Sequence, residues 1–182
     1  MCVSVCVYFC ANVHIKRRTT QCHPPCSPPT HTSTFSVQAI YLDDEQSGYT
    51  IEDNVCEDSM TCYFVGGGRD NVVRNNVCRN VGTCLHLDDR GLNWQHDSCV
   101  INATWTGRLV QELLDVKYQQ PPYSTTFPEI VSTLDRRPCT PVNVSFTGNY
   151  ACNTTTIIDA SLSQLNAWGD VFEGNTNSTN CD

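Results

Sequence analysis

Two segments of this chain are near-copies of each other, and that repetition constrains its fold more than any other feature. Thr50-Ile51-Glu52-Asp53-Asn54-Val55-Cys56 recurs as Val72-Val73-Arg74-Asn75-Asn76-Val77-Cys78, and the steps Asn54 to Asn76, Cys56 to Cys78 and Cys62 to Cys84 are each 22 residues. A period of that size is the length of one coil of a repeat architecture. Each copy holds a short alternating run, a turn, a second short run and then Asn-Val-Cys. This reads as strand, turn and strand, with an Asn at a corner that needs left-handed backbone. Equivalent residues of successive copies then lie one strand spacing apart, about 4.8 Å. On this basis Cys56 is expected over Cys78 and Cys62 over Cys84. At least one of these stacked pairs is expected to be able to bridge, because that separation lies within the disulfide range of roughly 4.4–6.8 Å.

Aligning Ile40-Tyr41-Leu42-Asp43-Asp44, Tyr63-Phe64-Val65-Gly66-Gly67 and Leu85-His86-Leu87-Asp88-Asp89 sets the faces. Period-2 alternation sends Ile40, Leu42, Tyr63, Val65, Leu85 and Leu87 inward. Tyr41, Phe64 and His86 become an outward row. Asp43, Gly66 and Asp88 form the next, with Asp44, Gly67 and Asp89 at the turn beside it. A water-facing row does not need aromatic rings, nor stacked acids on either side of a glycine, so these rows are the candidate site.

The formal net charge is −8, unevenly spread. Residues 1–38 carry Lys16, Arg17 and Arg18 and no acid, leaving 8 basic against 19 acidic residues in the remainder. That surface argues against nucleic acid, which needs a basic footprint, and more weakly against an anionic polysaccharide. Eight of the 13 cysteines lie beyond residue 50, an even set that suits a disulfide framework and a secretory route. Inward cysteines acting as small apolar fillers are the plainer alternative. Four N-x-S/T sequons stand at Asn102, Asn143, Asn153 and Asn177. With 15 Asn in the chain, roughly three are expected by chance, so they lend secretion only slight support.

Residues 1–38 do not resemble the rest. The apolar run from Met1 to Val13 is followed, not preceded, by its basic residues, which is the wrong order for a signal peptide, and it is short for a membrane span. Cys22-His23-Pro24-Pro25-Cys26-Ser27-Pro28-Pro29 is low in complexity. The stretch reads as an unstructured leader, a gene-model artefact standing in place of upstream repeats, with a metal-binding Cys/His segment as the functional alternative. The folded part is then 39–182, truncated at its N-terminus, with a helical excursion at about 107–138. Leu109, Val110, Leu113 and Leu114 make Gly107 to Lys117 an amphipathic helix. Thr126-Phe127-Pro128-Glu129 reads as a capping box opening a helix to about Leu134. Strands are expected to resume at 142–146 and 148–152, with a last one at 171–175.

Taken in order, Tyr41-Leu42-Asp43-Asp44 with Ser47-Gly48, Gly66-Gly67-Gly68-Arg69-Asp70-Asn71, Asp88-x-Arg90-Gly91 and Pro121-Pro122-Tyr123-Ser124 with Phe127-Pro128-Glu129 resemble the right-handed parallel β-helix repeat family of the pectate-lyase-like superfold. The resemblance spans about residues 39–176 and extends to β-helical glycoside hydrolases such as family 141. It implies an all-β fold, a right-handed parallel β-helix interrupted by a short helical excursion, and a secreted, monomeric, carbohydrate-active protein. Glycoside hydrolysis needs two carboxyl groups flanking the scissile bond, about 6.5–9.5 Å apart when the mechanism inverts. Asp43 and Asp88, two strand spacings apart, are about 9.6 Å from each other before their side chains converge. They are the candidate catalytic acids together with Asp44. Gly66-Gly67-Gly68 removes side chains where a sugar would sit. Arg69 or Arg90 would hold one acid ionised, Tyr41 and Phe64 would stack on sugar faces, and His86 and Asp89 would complete the substrate contacts. The expected partner is a polysaccharide or oligosaccharide, with no membrane and no cofactor. A lyase using Ca²⁺ on Asp43, Asp44, Asp88 and Asp89 is the second enzyme reading, and a glycan-binding adhesin the non-catalytic one. Each acid has a plainer role too, since Asp at a strand end commonly caps a turn.

Overall fold

The protein is described here by a computed structural model covering residues 6–7, 15–17, 38–102, 104–160 and 162–181. Most of the leader, including its Cys/His/Pro stretch, lies outside the described residues.

The chain divides into two compact units, residues 1–88 with 141–182, and residues 89–140. In the first, left-handed corners cut most of the strands short. They are β1 (Cys6–Val7), β2 (Ile15–Arg17), β3 (Gln38–Leu42), β4 (Tyr49–Glu52), β5 (Val55–Glu57), β6 (Thr61–Gly66), β7 (Val72–Arg74), β8 (Val77–Asp88), β9 (Ser145–Thr147), β10 (Tyr150–Asp159), β11 (Val171–Glu173) and β12 (Thr176–Ser178). They form two sheets. The larger runs β1-β3-β6-β8-β10-β12 with β5 also on β8, and the smaller runs β11-β9-β7-β4-β2. All pairings are parallel except those of the leader strands, β1 on β3 and β2 on β4.

The expectation of an all-β, closed right-handed β-helix is corrected by this architecture. The described residues are about 21% helix and 39% strand, in two sheets that have six and four parallel strands once the antiparallel β1 and β2 are set aside, plus helices, a mixed α/β arrangement and not a closed solenoid. Each copy feeds strands to only two sheets, and the stretch between β8 and β9 carries helix-period apolar residues and prolines. Helices α1 (His96–Cys99), α2 (Arg108–Asp115) and α3 (Tyr123–Thr126) lie in the second unit, and α4 (Leu162–Trp168) in the first. The expected helix at 107–117 is α2. At the expected capping box, Pro128–Ser132 is a 3-10 turn whose cap, Phe127, makes no side-chain cap hydrogen bond.

The 22-residue period sets the register. Thr50, Ile51 and Glu52 pair with Val72, Val73 and Arg74, and Val55, Cys56 and Glu57 with Val77, Cys78 and Arg79. Ile40, Leu42, Tyr63, Val65, Leu85 and Leu87 are all buried and join Ile51, Val73, Phe146 and Leu165 in one apolar cluster. The corners differ from the sequence reading in one respect. The left-handed residues are Asp53, Asn75, Gly148 and Gly174, with φ between 54° and 63°. The Asn that follows each of them turns into the interior instead.

Those inward residues form a ladder. The Oδ1 of Asn76 accepts the backbone N–H and the Nδ2 of Asn54, both at 3.0 Å. Asn149 does the same for Asn76, and Asn175 for Asn149. Each Nδ2 also donates to a carbonyl, of Glu52, Ile51, Val73 and Phe146 in turn. Because a buried amide without partners costs about 1–3 kcal/mol per group, this reciprocal satisfaction is what makes Asn admissible in the core.

The equivalent cysteines stack as expected but bridge to other partners. Cys56 stands beside Cys78, and the bridges close within each copy. Cys56–Cys62 and Cys78–Cys84 have Cα separations of 5.8 and 5.6 Å, and Cys99–Cys139 and Cys152–Cys181 complete the set at 5.9 and 5.1 Å. All eight cysteines beyond residue 50 are therefore paired.

Candidate functional site

Parallel pairing places Tyr41 beside Phe64, Phe64 beside His86, and His86 beside Asp159. These residues of β3, β6, β8 and β10 face away from the apolar cluster because their sequence neighbours face into it. The Tyr41 and Phe64 ring centroids are 4.5 Å apart at 64°, an edge-to-face contact. Phe64 and His86 follow at 4.0 Å and 34°. At the end of the row, His86 Nδ1 is 2.8 Å from Asp159 Oδ2. An ionised carboxylate only accepts hydrogen bonds, so Nδ1–H is the donor in this contact. The His86 side chain is 21% exposed and that of Asp159 64%, so the pair orients the imidazole while contributing little to stability.

Asp159 was not found from the sequence. The copy containing it begins 73 residues after its equivalent, not 22, so the repeat stops being visible. Aligning Gly148-Asn149-Tyr150 with Asn75-Asn76-Val77 would have placed Asp159 against His86.

Two residues further along the strands lies the acidic row. Gly66 pairs with Asp88, and Asp43 follows Leu42, whose partner is Val65. Asp43 and Asp88 are half-buried and Asp44 is exposed. The Asp43 carboxylate accepts the N–H of Asp44 at 2.9 Å, which is the turn-capping role. Asp44 and Glu45 both have left-handed backbone, with φ of 43° and 62°.

The glycine run does not open the space expected of it. A Cβ at Gly67 would lie 2.4–2.7 Å from the Glu45 carboxylate, and one at Gly68 2.0 Å from the Gln46 carbonyl oxygen. Glu45 Oε2 accepts the Gly68 N–H at 2.8 Å. Gly67 and Gly68 thus let one turn pass close over another, and Glu45 fills the gap. Only Gly66 remains as a missing side chain within the outward rows.

Arg69 is 6% exposed, buried beneath the turns. Its N–H donates to Ser47 Oγ at 3.0 Å, and its carbonyl accepts the Gly48 N–H at 2.9 Å. Asp89 and Arg90 belong to the second unit. There, Asp89 accepts from Asn93 Nδ2, and the buried Arg90 guanidinium lies 5.3 Å from the Trp94 ring centroid. Within the first unit the structure therefore brings together Tyr41, Phe64, His86 and Asp159, with Asp43 and Asp88 alongside.

Among the described residues no group of three or more His, Cys, Asp and Glu is placed to hold a metal ion. A shallow polar depression lined by Asn153, Thr154, Thr155, Asn177, Ser178 and Thr179 lies toward the other end of β10, away from Asp159.

One buried acid stands apart from these rows. Asp170 is 6% exposed, its Oδ1 accepts the Val144 N–H at 2.6 Å, and its Oδ2 has no hydrogen-bond partner among the described residues. Desolvation pushes its pKa up to about 6, partly offset by the Val144 hydrogen bond.

Comparison with known protein families, with curated proteins and with solved structures finds no match to this chain.

Proposed function

We propose that the outward row Tyr41–Phe64–His86–Asp159 binds a neutral or weakly charged glycan, and that the protein works outside the cell. The observation that carries this reading is the row itself. Two aromatic rings and a carboxylate-oriented imidazole are held in register on four neighbouring strands of a rigid sheet. Sugars offer apolar C–H faces to rings and hydroxyls to imidazole and carboxylate groups, so one row serves both kinds of contact. The four disulfides support an oxidising compartment, and no helix among the described residues is long and apolar enough to cross a membrane.

Glycoside hydrolysis is the second reading, favoured by one observation: Asp88 pairs with Gly66, which leaves the position between Asp88 and Asp43 without a side chain. In this reading Asp88 and Asp43 flank the scissile bond, and His86 contacts a substrate hydroxyl.

The test is retention of the disulfide-bonded chain on a panel of neutral and acidic polysaccharides. Tyr41→Ala and His86→Ala should each weaken retention roughly tenfold, the loss of one stacked or hydrogen-bonded contact. Release of reducing ends that Asp88→Asn abolishes, with retention unchanged, would establish hydrolysis. If neither Tyr41→Ala nor His86→Ala changes retention on any glycan, the row is only a structural stack and the reading fails.

A further inference from the structure

Four sequons occur in the chain, and the structure sorts them. In the first unit all three are tied down through the nitrogen that would carry a sugar. Asn143 Nδ2 donates to Asp70 Oδ1 at 2.7 Å, and Asn153 Nδ2 to Asn80 Oδ1 at 2.8 Å, in both cases 73 residues away in sequence. Asn177 lies within β12, and its Nδ2 is 3.5 Å from the Thr154 carbonyl oxygen.

Asn102 is different. It is exposed, at one end of a tight turn closed by its own N–H donating to the Trp105 carbonyl at 2.9 Å and by the Ile101–Thr106 bridge. Its Oδ1 accepts three hydrogen bonds, from the Thr104 N–H at 2.9 Å, the Thr104 hydroxyl at 3.0 Å and the Trp105 N–H at 2.9 Å. All of the local bonding therefore falls on the oxygen, and Nδ2 makes no hydrogen bond among the described residues. The sequon hydroxyl bonded to the amide oxygen also draws electron density toward that oxygen and favours loss of a proton from Nδ2. Apolar surface surrounds the site. Ile101 is 51% exposed and Trp105 57%, with the Trp105 indole fixed by its Nε1 hydrogen bond to the Asp97 carbonyl at 3.2 Å. The first sugars of a glycan on Asn102 would lie against this fixed, exposed indole.

We propose that Asn102 is an N-glycan acceptor and the preferred one of the four. The donor is an oligosaccharide linked to lipid pyrophosphate. The Asn102 Nδ2–C1 bond forms, the C1–O bond to pyrophosphate breaks, the lipid pyrophosphate leaves with the bonding pair, and Nδ2 gives up one proton to solvent. This assignment rests on the secretory part of the reading above and is independent of the Tyr41–Phe64–His86–Asp159 row.

The experiment places a cleavable signal peptide before the full chain in a eukaryotic secretory host. Occupancy at each sequon of the secreted, disulfide-bonded product is read by peptide mass spectrometry, the glycan being removed by an amidase that leaves Asp in place of the modified Asn. The expected result is high occupancy at Asn102 and lower occupancy at Asn143, Asn153 and Asn177. Thr104→Ala and Asn102→Gln should each remove one glycan, Thr104→Ser should retain it, and acrylamide quenching of tryptophan should rise when it is lost. An unmodified Asn102 in the secreted chain, or equal occupancy at all four sites, would overturn the proposal. If the chain is glycosylated behind the supplied signal but is never secreted in its natural cell, the secretory reading fails while the acceptor assignment stands.

Discussion

The two units of this molecule are held together in different ways. In residues 1–88 with 141–182, every buried apolar residue of the main cluster is present, and the backbone of each copy is paired with the next. Among the described residues of 89–140 the buried apolar ones are Cys99, Val110 and Tyr118, while Leu92, Trp94, Ile101, Trp105 and Leu114 are exposed. That unit is spanned by one disulfide across 40 residues, Cys99–Cys139. A Cβ on Gly91 would lie 2.2 Å from the Cys139 carbonyl oxygen, so the start of this unit packs closely against its end. The first unit resists unfolding through repeated burial and hydrogen bonding, the second through a covalent restriction of its unfolded state. The lesson is that a stacked repeat distributes stability over many equivalent residues, whereas an insertion without a core concentrates it in a few.

The largest effect should come from the centre of the Asn ladder. Asn76→Ala removes the side-chain acceptor of the Asn54 N–H and of one Asn54 Nδ2 hydrogen, and a side-chain donor to the Ile51 carbonyl. At about 1–3 kcal/mol for each buried bond lost, the expected loss is on the order of 5 kcal/mol. Asn175→Ala, at the half-buried last rung, should cost roughly 1–2 kcal/mol. Denaturant titration of both variants checks the ratio. Equal losses would mean that the rungs do not depend on burial, and the contrast between the units would weaken.

Next in size is the Cys99–Cys139 bridge. Closing a loop of that length restricts the unfolded chain by roughly 4 kcal/mol on the chain-entropy account. The Cys99→Ser/Cys139→Ser variant should show faster hydrogen exchange in α2, with β6, β8 and β10 nearly unchanged. If exchange rises equally in those strands, the two units do not open separately.

The first unit was the more legible in the sequence, for a physical reason. A parallel ladder keeps equivalent residues adjacent, so a 22-residue period read from Asn54, Cys56 and Cys62 specifies the pairing of β4 with β7 and of β5 with β8, and alternation around Leu42, Val65 and Leu87 specifies the buried face. The fold class was not legible, because the period fixes which strands are neighbours but not how many sheets they make or what the intervening residues form. The disulfide partners were hidden because a cysteine stacked on its copy and one six residues along are both within bridging distance. In the candidate site, Tyr41, Phe64 and His86 followed from alternation. Asp159 and Glu45 did not, one because the insertion hides the register and the other because a side chain from a different turn fills the glycine gap. At Asn102 the sequon was visible, but its separation from the other three depends on which Nδ2 atoms are bonded, and that is a property of the fold alone.

Asp170 gives a pH test specific to the first unit. Its native pKa, about 6, lies above the ordinary carboxylate value of 3.8. Between those values the native state holds the proton and the unfolded chain has released it. Stability from this residue is therefore present at low pH, falls as pH rises from about 4 to 6, and is flat above, for a total of about 3 kcal/mol at most. Subtracting the pH–stability curve of Asp170→Asn from that of the wild type isolates this slope. A difference curve that rises with pH would show that Asp170 is ionised and paired in the native state.

The smallest effects should be the surface ion pairs, and they ask whether charge contributes to the contrast at all. Arg79 and Glu57 are 2.9 Å apart across β8 and β5, with side chains 42% and 52% exposed. Arg108 and Glu112 are 3.5 Å apart within α2, with side chains 68% and 39% exposed. Both pairs interact through high-dielectric solvent and must immobilise two long side chains, so double-mutant cycles should give each roughly 0.2–1 kcal/mol, reduced further by salt. The strand pair should be slightly the stronger, because paired backbone already holds Glu57 opposite Arg79 and less side-chain entropy remains to be lost. If the Arg79–Glu57 coupling instead reached several kcal/mol, the sheets would owe much of their cohesion to surface charge. The difference between the units would then depend on ionic strength, whereas burial and hydrogen bonding predict that it persists in high salt.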